Sequence, residues 1–282
     1  MKRYLKYTLG TACLFSLLGM TSCDDWTEME SMDLSAPSVE EQNPALYQSY
    51  LENLRTYKIS DHKYTYVWFD NSEKEPFSRA QHINVVPDSV DVVALMHPNN
   101  LSHWEYAEML EVREKKGTKF IFTISFDGIK ATYNELKKEP DALVADAKEG
   151  DVIPEFPSFI TYLTNEMNAS VQLVAKYNYD GLSFGFLGKS ILHMSDAEKV
   201  EYTNYHNLFV GIFKDWIARN PSKLFVFEGK PQNLLDKSFL QACKHIVLPC
   251  RGAKNGYQLA YEVQMATVEG VPADRFVIQA EM

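Results

Sequence analysis

Acidic side chains stand at the ends of several β-rich segments, where they could act as general acids or as hydrogen-bond partners. Asp70 follows "YTYVWF", Asp127 follows "KFIFTISF", Glu228 lies near the end of "KLFVFEG" and Glu281 follows "RFVIQA". Two carboxyl groups about 5–9.5 Å apart are the arrangement that hydrolyses glycosidic bonds. Sequence does not fix their separation, and acids at such positions are more often solvated or hydrogen-bonded loop residues.

Aromatic and polar residues near the same segment ends could bind a ligand. Trp68 is the first choice as a platform for a sugar ring, although neighbouring strand residues face opposite ways, so Trp68 and Phe69 cannot both face inward. His97 has no second histidine at metal-ligand spacing and is typical of a hydrogen-bonded loop residue. We expect no metal and no cofactor. The candidate ligand-binding residues are Trp68, Phe69, Asp70, His97, Asp127 and Glu228.

The segments that carry these residues alternate between β-rich and helical patterns. Strands are predicted over 64–69, 90–96, 119–126, 179–186, 223–229, 245–250 and 275–280. Helices are predicted over 44–57, 102–117, 158–176, 196–219 and 255–268, with a weaker helical pattern over 71–89.

This alternation predicts an α/β fold with a parallel sheet. Seven such strands, with no glycine-rich phosphate loop after the first, favour a (β/α)8 TIM barrel over a doubly wound sheet. Because the chain stops at Met282, directly after the seventh strand, we expect a barrel that is truncated after that strand.

The first residues predict export and a lipid anchor. A basic start and an apolar run too short to span a membrane indicate a signal peptide over 1–22. "GMTSC" resembles a bacterial lipobox with Cys23 as the lipidated residue, and Asp24 and Asp25 resemble the surface-export signal of Bacteroidetes lipoproteins. The alternative is an ordinary secretory signal with a chance cysteine. Residues 23–60 then form the attachment point, an acidic tether and a short helix, and 61–282 form the barrel.

The composition of the chain limits the classes of partner that it can bind. A formal net charge of −10 makes nucleic acid an unsuitable partner, because phosphate binding needs clustered basic residues. Cys243 and Cys250 flank a predicted strand that would hold them about 20 Å apart, well beyond the roughly 7 Å that a disulfide allows. We therefore predict two free thiols.

The fourth predicted strand carries the most specific pattern, "YDGLSFGFLGK" at 179–189. It resembles the active-site strand of glycoside hydrolase family 18, the chitinases and endo-β-N-acetylglucosaminidases, whose motif is D-G-x-D-x-D-x-E. Asp180 and Gly181 match the motif, whereas Ser183, Gly185 and Leu187 replace its later acids. The resemblance covers about 62–282 and implies a family 18-type barrel.

The replaced acids decide what the resemblance implies for function. In the family the glutamate protonates the glycosidic oxygen, and an aspartate orients the N-acetyl group of the substrate as nucleophile. Neither leucine nor glycine can do this, and general acid catalysis contributes about 10²–10⁴-fold. We therefore expect a non-catalytic barrel on the cell surface, anchored in the outer membrane, that binds glycans containing N-acetylglucosamine for an uptake transporter complex. The alternatives are a glycosidase with relocated acids such as Glu228, and an inert fragment.

Overall fold

The computed structural model describes residues 37–146 and 155–280. The predicted signal peptide, the lipidation residue Cys23 and the tether up to residue 36 lie outside this part, so they stay predictions. Within it, no helix has both the length and the apolar character that a membrane span requires.

The described residues 37–49 belong to a unit of their own. Its described part contains helix α1 (Val39–Gln42), which lies inside the segment predicted as a tether. A reciprocal cap between Ser38 and Glu41 satisfies the first backbone N–H groups of this helix. Helix α2 (Pro44–Ile59) begins at the predicted proline and continues into the second unit.

From Tyr50 onward, strands and helices alternate as predicted. The strands are β1 (Tyr66–Phe69), β2 (Val92–Leu95), β3 (Lys119–Ile121), β4 (Thr123–Ser125), β5 (Gly181–Phe186), β6 (Leu224–Gly229), β7 (His245–Pro249) and β8 (Phe276–Gln279). The remaining helices are α3 (His103–Lys116), α4 (Phe126–Asp146), α5 (Phe159–Lys176), α6 (Asp196–Arg219) and α7 (Gly256–Ala266).

All strand pairs are parallel and follow chain order, in one sheet of three strands and one of five. Phe122 separates β3 from β4, which together are the single strand predicted over 119–126. The two sheets are joined because the amide of Ser183 donates to the carbonyl of Phe122 at 2.7 Å and that of Asp180 donates to Phe120 at 2.8 Å. The α/β fold is confirmed. In the described residues no pairing joins β1 to β8, so the barrel is not closed by backbone hydrogen bonds.

Helix α4 is a correction to the sequence prediction, which placed no helix between 126 and 158. Gly128 and Pro140 both lie inside it, and these residue types weaken a helical pattern. The predicted third strand therefore ends at Ser125, and Asp127 lies in the first turn of a helix instead of a loop. The segment 71–89 contains two short 3₁₀ turns, Arg79–Gln81 and Ile83–Val85, in place of the weak helix.

The two faces of the sheet have different cores. Side chains that point toward the helices form a large aromatic-rich cluster, in which Phe184 of β5 lies against Phe209 and Phe213 of α6 at 4.6 and 4.5 Å between ring centroids. The alternate side chains form a smaller interior cluster of Val92, Ala94, Ile121, Val226 and Val247, against which Tyr66, Trp68, Leu224 and Val277 pack. This alternation defines the interior row of every strand.

The two matched motif residues support the fold near the start of β5. Asp180 accepts hydrogen bonds from the amide of Phe120 at 2.8 Å and from Nε of Arg113 at 3.0 Å. A Cβ at Gly181 would lie 1.8 Å from the carbonyl oxygen of Leu224. The glycine is therefore required by the close approach of β6.

Candidate functional site in the barrel interior

A buried carboxylate lies on the interior row near the carboxyl end of β6. Thr123 of β4 donates a 2.8 Å hydrogen bond from Oγ1 to Oε2 of Glu228. Strand β5 runs between the two, and its Gly185 is paired with Ser125 on one side and with Glu228 on the other. Because Gly185 has no side chain, the Glu228 carboxylate can extend across β5 and reach Thr123 on β4.

Burial raises the pKa of Glu228 above its ordinary value, although three neighbours oppose the shift. These are the hydroxyl of Thr123, the indole of Trp68 and the charge of Arg251. The indole N–H of Trp68 is buried and makes no hydrogen bond of acceptable geometry, so we attribute its effect to the dipole of the nearby N–H group. Glu228 therefore takes up a proton more readily than an exposed glutamate.

The position of the third motif acid is spatially occupied by its neighbours. A Cβ at Gly185 would lie 3.0 Å from Cγ2 of Thr123 and 3.0 Å from Cα of Ser125. An aspartate there would need β4 to move. The carboxylate of Glu228 is thus the acidic group that stands beside Gly185, supplied by the neighbouring strand.

Three further polar groups on interior rows are buried without a hydrogen-bond partner. They are Oγ of Ser183, Nε1 of Trp68 and Oε1 of Gln279. Ser183 and Gln279 are only 2% and 4% exposed. Buried polar groups are normally satisfied, so these three atoms are exceptions in the described interior.

The position of the motif glutamate lies beyond the end of β5. Leu187 is 43% exposed, and its backbone is held on both sides. Its amide donates to Oδ2 of Asp127 at 2.7 Å, and its carbonyl accepts from Nδ2 of Asn233 at 2.7 Å. Asp127 therefore has a structural partner in this loop.

Asp70 and His97 form a separate pair at the ends of β1 and β2. His97 Nε2 lies 3.5 Å from Oδ1 of Asp70, and both side chains are about half exposed or more. Buried Asn71 binds both the amide and the carbonyl of His97, at 2.8 and 2.9 Å. In the described part of the chain, no hydrogen bond or ion pair connects this pair with Glu228.

The structure therefore divides the predicted ligand-binding residues. Trp68 and Glu228 lie together in the interior, Asp70 and His97 lie on the rim, and Asp127 lies under the Leu187 loop. Phe69 packs against the helix-side core, because alternation along β1 places it on the opposite face from Trp68.

Sequence reasoning missed Thr123, Gln279 and Arg251 as parts of this site. Thr123 and Ser125 are polar residues at alternate positions of an otherwise apolar strand, a pattern that indicates their common face. The residues that the structure describes contain no group of three or more His, Cys, Asp or Glu side chains that could hold a metal ion.

The chain matches a family model described as "Glycoside hydrolase family 18, BT1044-like" over residues 27–280. Its fold is similar to that of BT1044, solved as a Glu-to-Gln variant, with 17% identity and a TM-score of 0.57. That match covers 86% of this chain and 74% of BT1044. No curated protein matches.

Two weaker likenesses have TM-scores below 0.5. The glycoside hydrolase domain of PelA from Pseudomonas aeruginosa is 14% identical with a TM-score of 0.41, over 74% of this chain and 81% of that one. Human YKL-39, described as a pseudo-chitinase with retained chitooligosaccharide binding, is 12% identical with a TM-score of 0.44. That match covers 76% of this chain and 65% of YKL-39.

Proposed function

Because the chain belongs to glycoside hydrolase family 18, we propose that it is a glycan-binding protein that does not hydrolyse its ligand by the family mechanism. The ligands are glycans containing N-acetylglucosamine. The protein is anchored through Cys23 in the outer membrane, faces the cell exterior and delivers glycans to an uptake transporter complex.

One observation carries the non-catalytic part of the proposal. The family mechanism needs two acidic groups, a proton donor and an acetamide-orienting carboxylate. Around positions 183, 185 and 187, the structure offers Glu228 in the interior, while Asp127 is engaged by the Leu187 amide. One carboxyl group can perform one of the two tasks but not both.

Binding is supported by the chemistry of the interior. Trp68 offers an aromatic surface, and Ser183, Trp68 and Gln279 offer buried polar atoms without partners. An acetamide and ring hydroxyls carry both donors and acceptors, so they can satisfy these groups together. A purely apolar ligand would leave them unsatisfied, which costs about 1–3 kcal/mol for each group.

Isothermal titration with chitooligosaccharides, followed by chromatography of the same samples, tests the proposal. We expect binding heat and unchanged oligosaccharide. Trp68→Ala should weaken binding about tenfold or more, as expected for a central aromatic contact. Released N-acetylglucosamine would overturn the non-catalytic assignment, and unchanged affinity in Trp68→Ala would remove Trp68 from the site.

Trp104→Ala is the matched control. Trp104 lies on α3 and donates from its indole to the carbonyl of Lys74 at 3.2 Å, away from the interior cluster. Its replacement removes the same side chain and should leave glycan affinity unchanged. A loss of affinity in both variants would indicate general destabilisation instead of a specific contact.

A second candidate function is a glycosidase that uses Glu228 as a relocated acid. The raised pKa of Glu228 favours it, because burial stabilises the protonated form from which a general acid donates. The discriminating variant is Glu228→Gln, which has a similar shape but no ionisable proton. If the wild type releases product and Glu228→Gln does not, the enzyme reading replaces the binding one.

Anchoring has its own test. Cys23→Ala should shift the protein from the membrane fraction to the soluble fraction, and protease added to intact cells should digest the wild type. A membrane-bound Cys23→Ala variant would contradict lipidation at this residue, and protection from the protease would contradict surface exposure.

A further inference from the structure

A cavity lies at the amino ends of the strands, at the opposite end of the sheet from Glu228. Its volume is about 690 Å³, and its lining includes the first residue of each of four strands, Val92, Lys119, Leu224 and His245. Glu228, by contrast, lies near the carboxyl end of β6. This amino-end cavity is therefore separate from the glycan site proposed above.

The amino-end cavity concentrates positive charge in an acidic protein. Its lining contains five cationic side chains and two acidic ones, whereas the whole chain has a formal net charge of −10. The cations are Arg55, Lys58, Lys119, Lys223 and Lys244, and the acids are Asp91 and Asp180.

Both acids already have partners outside the lining. Asp180 accepts from Nε of Arg113 at 3.0 Å, and Asp91 lies 2.9 Å from Nε2 of His62. Lys119 is the cavity cation nearest to either acid, at 3.9 Å from Asp180. The two carboxylates therefore do little to neutralise the five cations.

Three of the cations bind neutral backbone carbonyls instead of acids. Arg55 donates to the carbonyl of Lys115 at 2.9 Å and Lys223 to that of Tyr179 at 2.7 Å. Lys58 donates at 2.6 Å to the carbonyl of Val90, which leaves its charge without a counterion within salt-bridge distance in the described residues. A carbonyl offers only a partial charge, so a net positive field remains in the cavity.

Lys58 supports this description independently. It is 7% exposed, and burial lowers its pKa to about 8, against the opposing effects of Asp91 and Asp88. A buried ammonium whose pKa falls is one whose charge is incompletely compensated. An anion placed in the cavity would compensate it.

The purely structural explanation is that these cations only satisfy carbonyls at the ends of helices and strands. It accounts for Arg55, Lys58 and Lys223. It does not account for Lys244, whose ammonium lies 5.7 Å from the ring centroid of Tyr64 and has no acid in salt-bridge contact among the described residues. It also does not account for the volume of the cavity. A water molecule occupies about 30 Å³, so 690 Å³ accommodates an oxyanion and several waters.

We propose that the amino-end cavity binds an oxyanion of the phosphate or sulfate class, free or as a substituent of a larger molecule. Lys119 and Lys244, which are exposed to solvent, make the first contact, and the field of the buried cations holds the anion. Binding is independent of the glycan site at the other end of the barrel.

Titration of the full chain with inorganic phosphate, at ionic strength held constant with chloride, tests the proposal. We expect saturable heat that chloride alone does not produce. Lys119→Gln/Lys244→Gln should weaken phosphate affinity at least fivefold while leaving chitooligosaccharide affinity unchanged. Both side chains are exposed, so the variant should fold, which circular dichroism verifies.

Lys138→Gln/Lys199→Gln is the matched control, because it removes two exposed lysines on α4 and α6 that lie outside the amino-end cavity. It should bind phosphate like the wild type. Equal weakening in both double variants, or unchanged affinity in Lys119→Gln/Lys244→Gln, would overturn the site.

A second arm identifies the source of the anion. N-acetylglucosamine 6-sulfate is compared with N-acetylglucosamine in the presence of saturating phosphate. If N-acetylglucosamine 6-sulfate displaces phosphate and N-acetylglucosamine does not, the site accepts an anion that is carried on a sugar. If phosphate binds and neither sugar displaces it, the site takes a free anion. Absence of saturable binding by both phosphate and the sulfated sugar overturns the proposal.

Discussion

Thr123 holds the carboxylate of Glu228 across an intervening strand, at a point where that strand contributes a glycine to the interior row. The glycine is Gly185, which the resemblance to the family 18 motif aligns with an acid. A side chain at this position and the bond between Thr123 and Glu228 would compete for the same space.

Thr123→Val removes the hydroxyl donor and keeps the shape of the side chain. We expect the free energy of unfolding, measured at a pH above the folded-state pKa of Glu228, to fall by about 2 kcal/mol, because hydrogen bonds to charged groups contribute roughly 1.5–3 kcal/mol. Urea denaturation measures it. In a Glu228→Gln background the same change should cost about 1 kcal/mol, and an equal cost in both backgrounds would contradict the bond to an ionised carboxylate.

Glu228→Gln should change how stability depends on pH. The folded-state pKa of Glu228 is raised, so the folded protein holds this proton more tightly than the unfolded chain. The resulting contribution is present at acidic pH and is lost as pH rises above 4.5, the ordinary glutamate value, through the folded-state pKa. The variant should therefore gain stability relative to wild type as pH rises through that window.

The control for this pH dependence is Glu198→Gln. Hydrogen bonds from Ser195 lower the pKa of Glu198, so its contribution is present above the ordinary value and is lost on acidification. The stability of Glu198→Gln relative to wild type should therefore fall as pH rises, whereas that of Glu228→Gln should rise. Denaturation curves at several pH values that show the same slope for both variants would contradict the assignment of Glu228.

Leu187→Glu tests whether the lack of a proton donor at position 187 accounts for the proposed absence of hydrolysis. Leu187 is 43% exposed and its backbone is fixed by Asp127 and Asn233, so a longer polar side chain should be tolerated. General acid catalysis contributes about 10²–10⁴-fold, and Glu228 can serve as the second carboxylate. We expect slow but detectable cleavage of chitooligosaccharides by this variant.

Leu187→Gln should remain inactive, because it cannot donate a proton as an acid, and Leu187→Glu/Glu228→Gln should lose the gained activity. Chromatographic detection of products over long incubations is the measurement. If Leu187→Glu releases no product, Glu228 does not replace the orienting acid of the family.

Gly181→Ala should destabilise the protein strongly. The new Cβ would meet the carbonyl oxygen of Leu224 at 1.8 Å, and overpacking of this kind costs about 1–3 kcal/mol or more. Gly211→Ala makes the same change inside α6, where nothing lies within 4 Å of the new Cβ. That control should gain about 0.5–1 kcal/mol from helix propensity. Thermal unfolding compares the two, and similar effects would refute the close approach of β5 and β6.

Sequence patterns predicted the strands and most helices because apolar runs and caps are local signals. Alternation along β5 places Ser183 and Gly185 on one face. Sequence patterns could not choose between Trp68 and Phe69, since alternation leaves two possible phases for each strand. The interior contacts of Tyr66 and Trp68 settle the phase of β1.

The contact between Thr123 and Glu228 was beyond sequence reasoning for a different reason. The two residues are separated by 105 positions and by a strand in the sheet, so no local pattern connects them. Helix α4 was missed because Gly128 and Pro140 interrupt its pattern, while tertiary contacts of residues such as Phe126 with Phe209, at 5.2 Å between ring centroids, compensate for weak propensity.

The crossover that carries α4 and α5 has a consequence for the order of folding. Thr123 pairs with Ser183 about 60 positions later, whereas Val226 pairs with His245 about 19 positions later. Loop closure costs (3/2)RT ln n, so the first pairing costs about 1 kcal/mol more entropy. We expect β6 and β7 to associate before β4 and β5. In pulse-labelled hydrogen exchange during refolding, the amide of Lys244, which donates to Phe225, should become protected before that of Ser183; the reverse order would show that local closure does not control assembly.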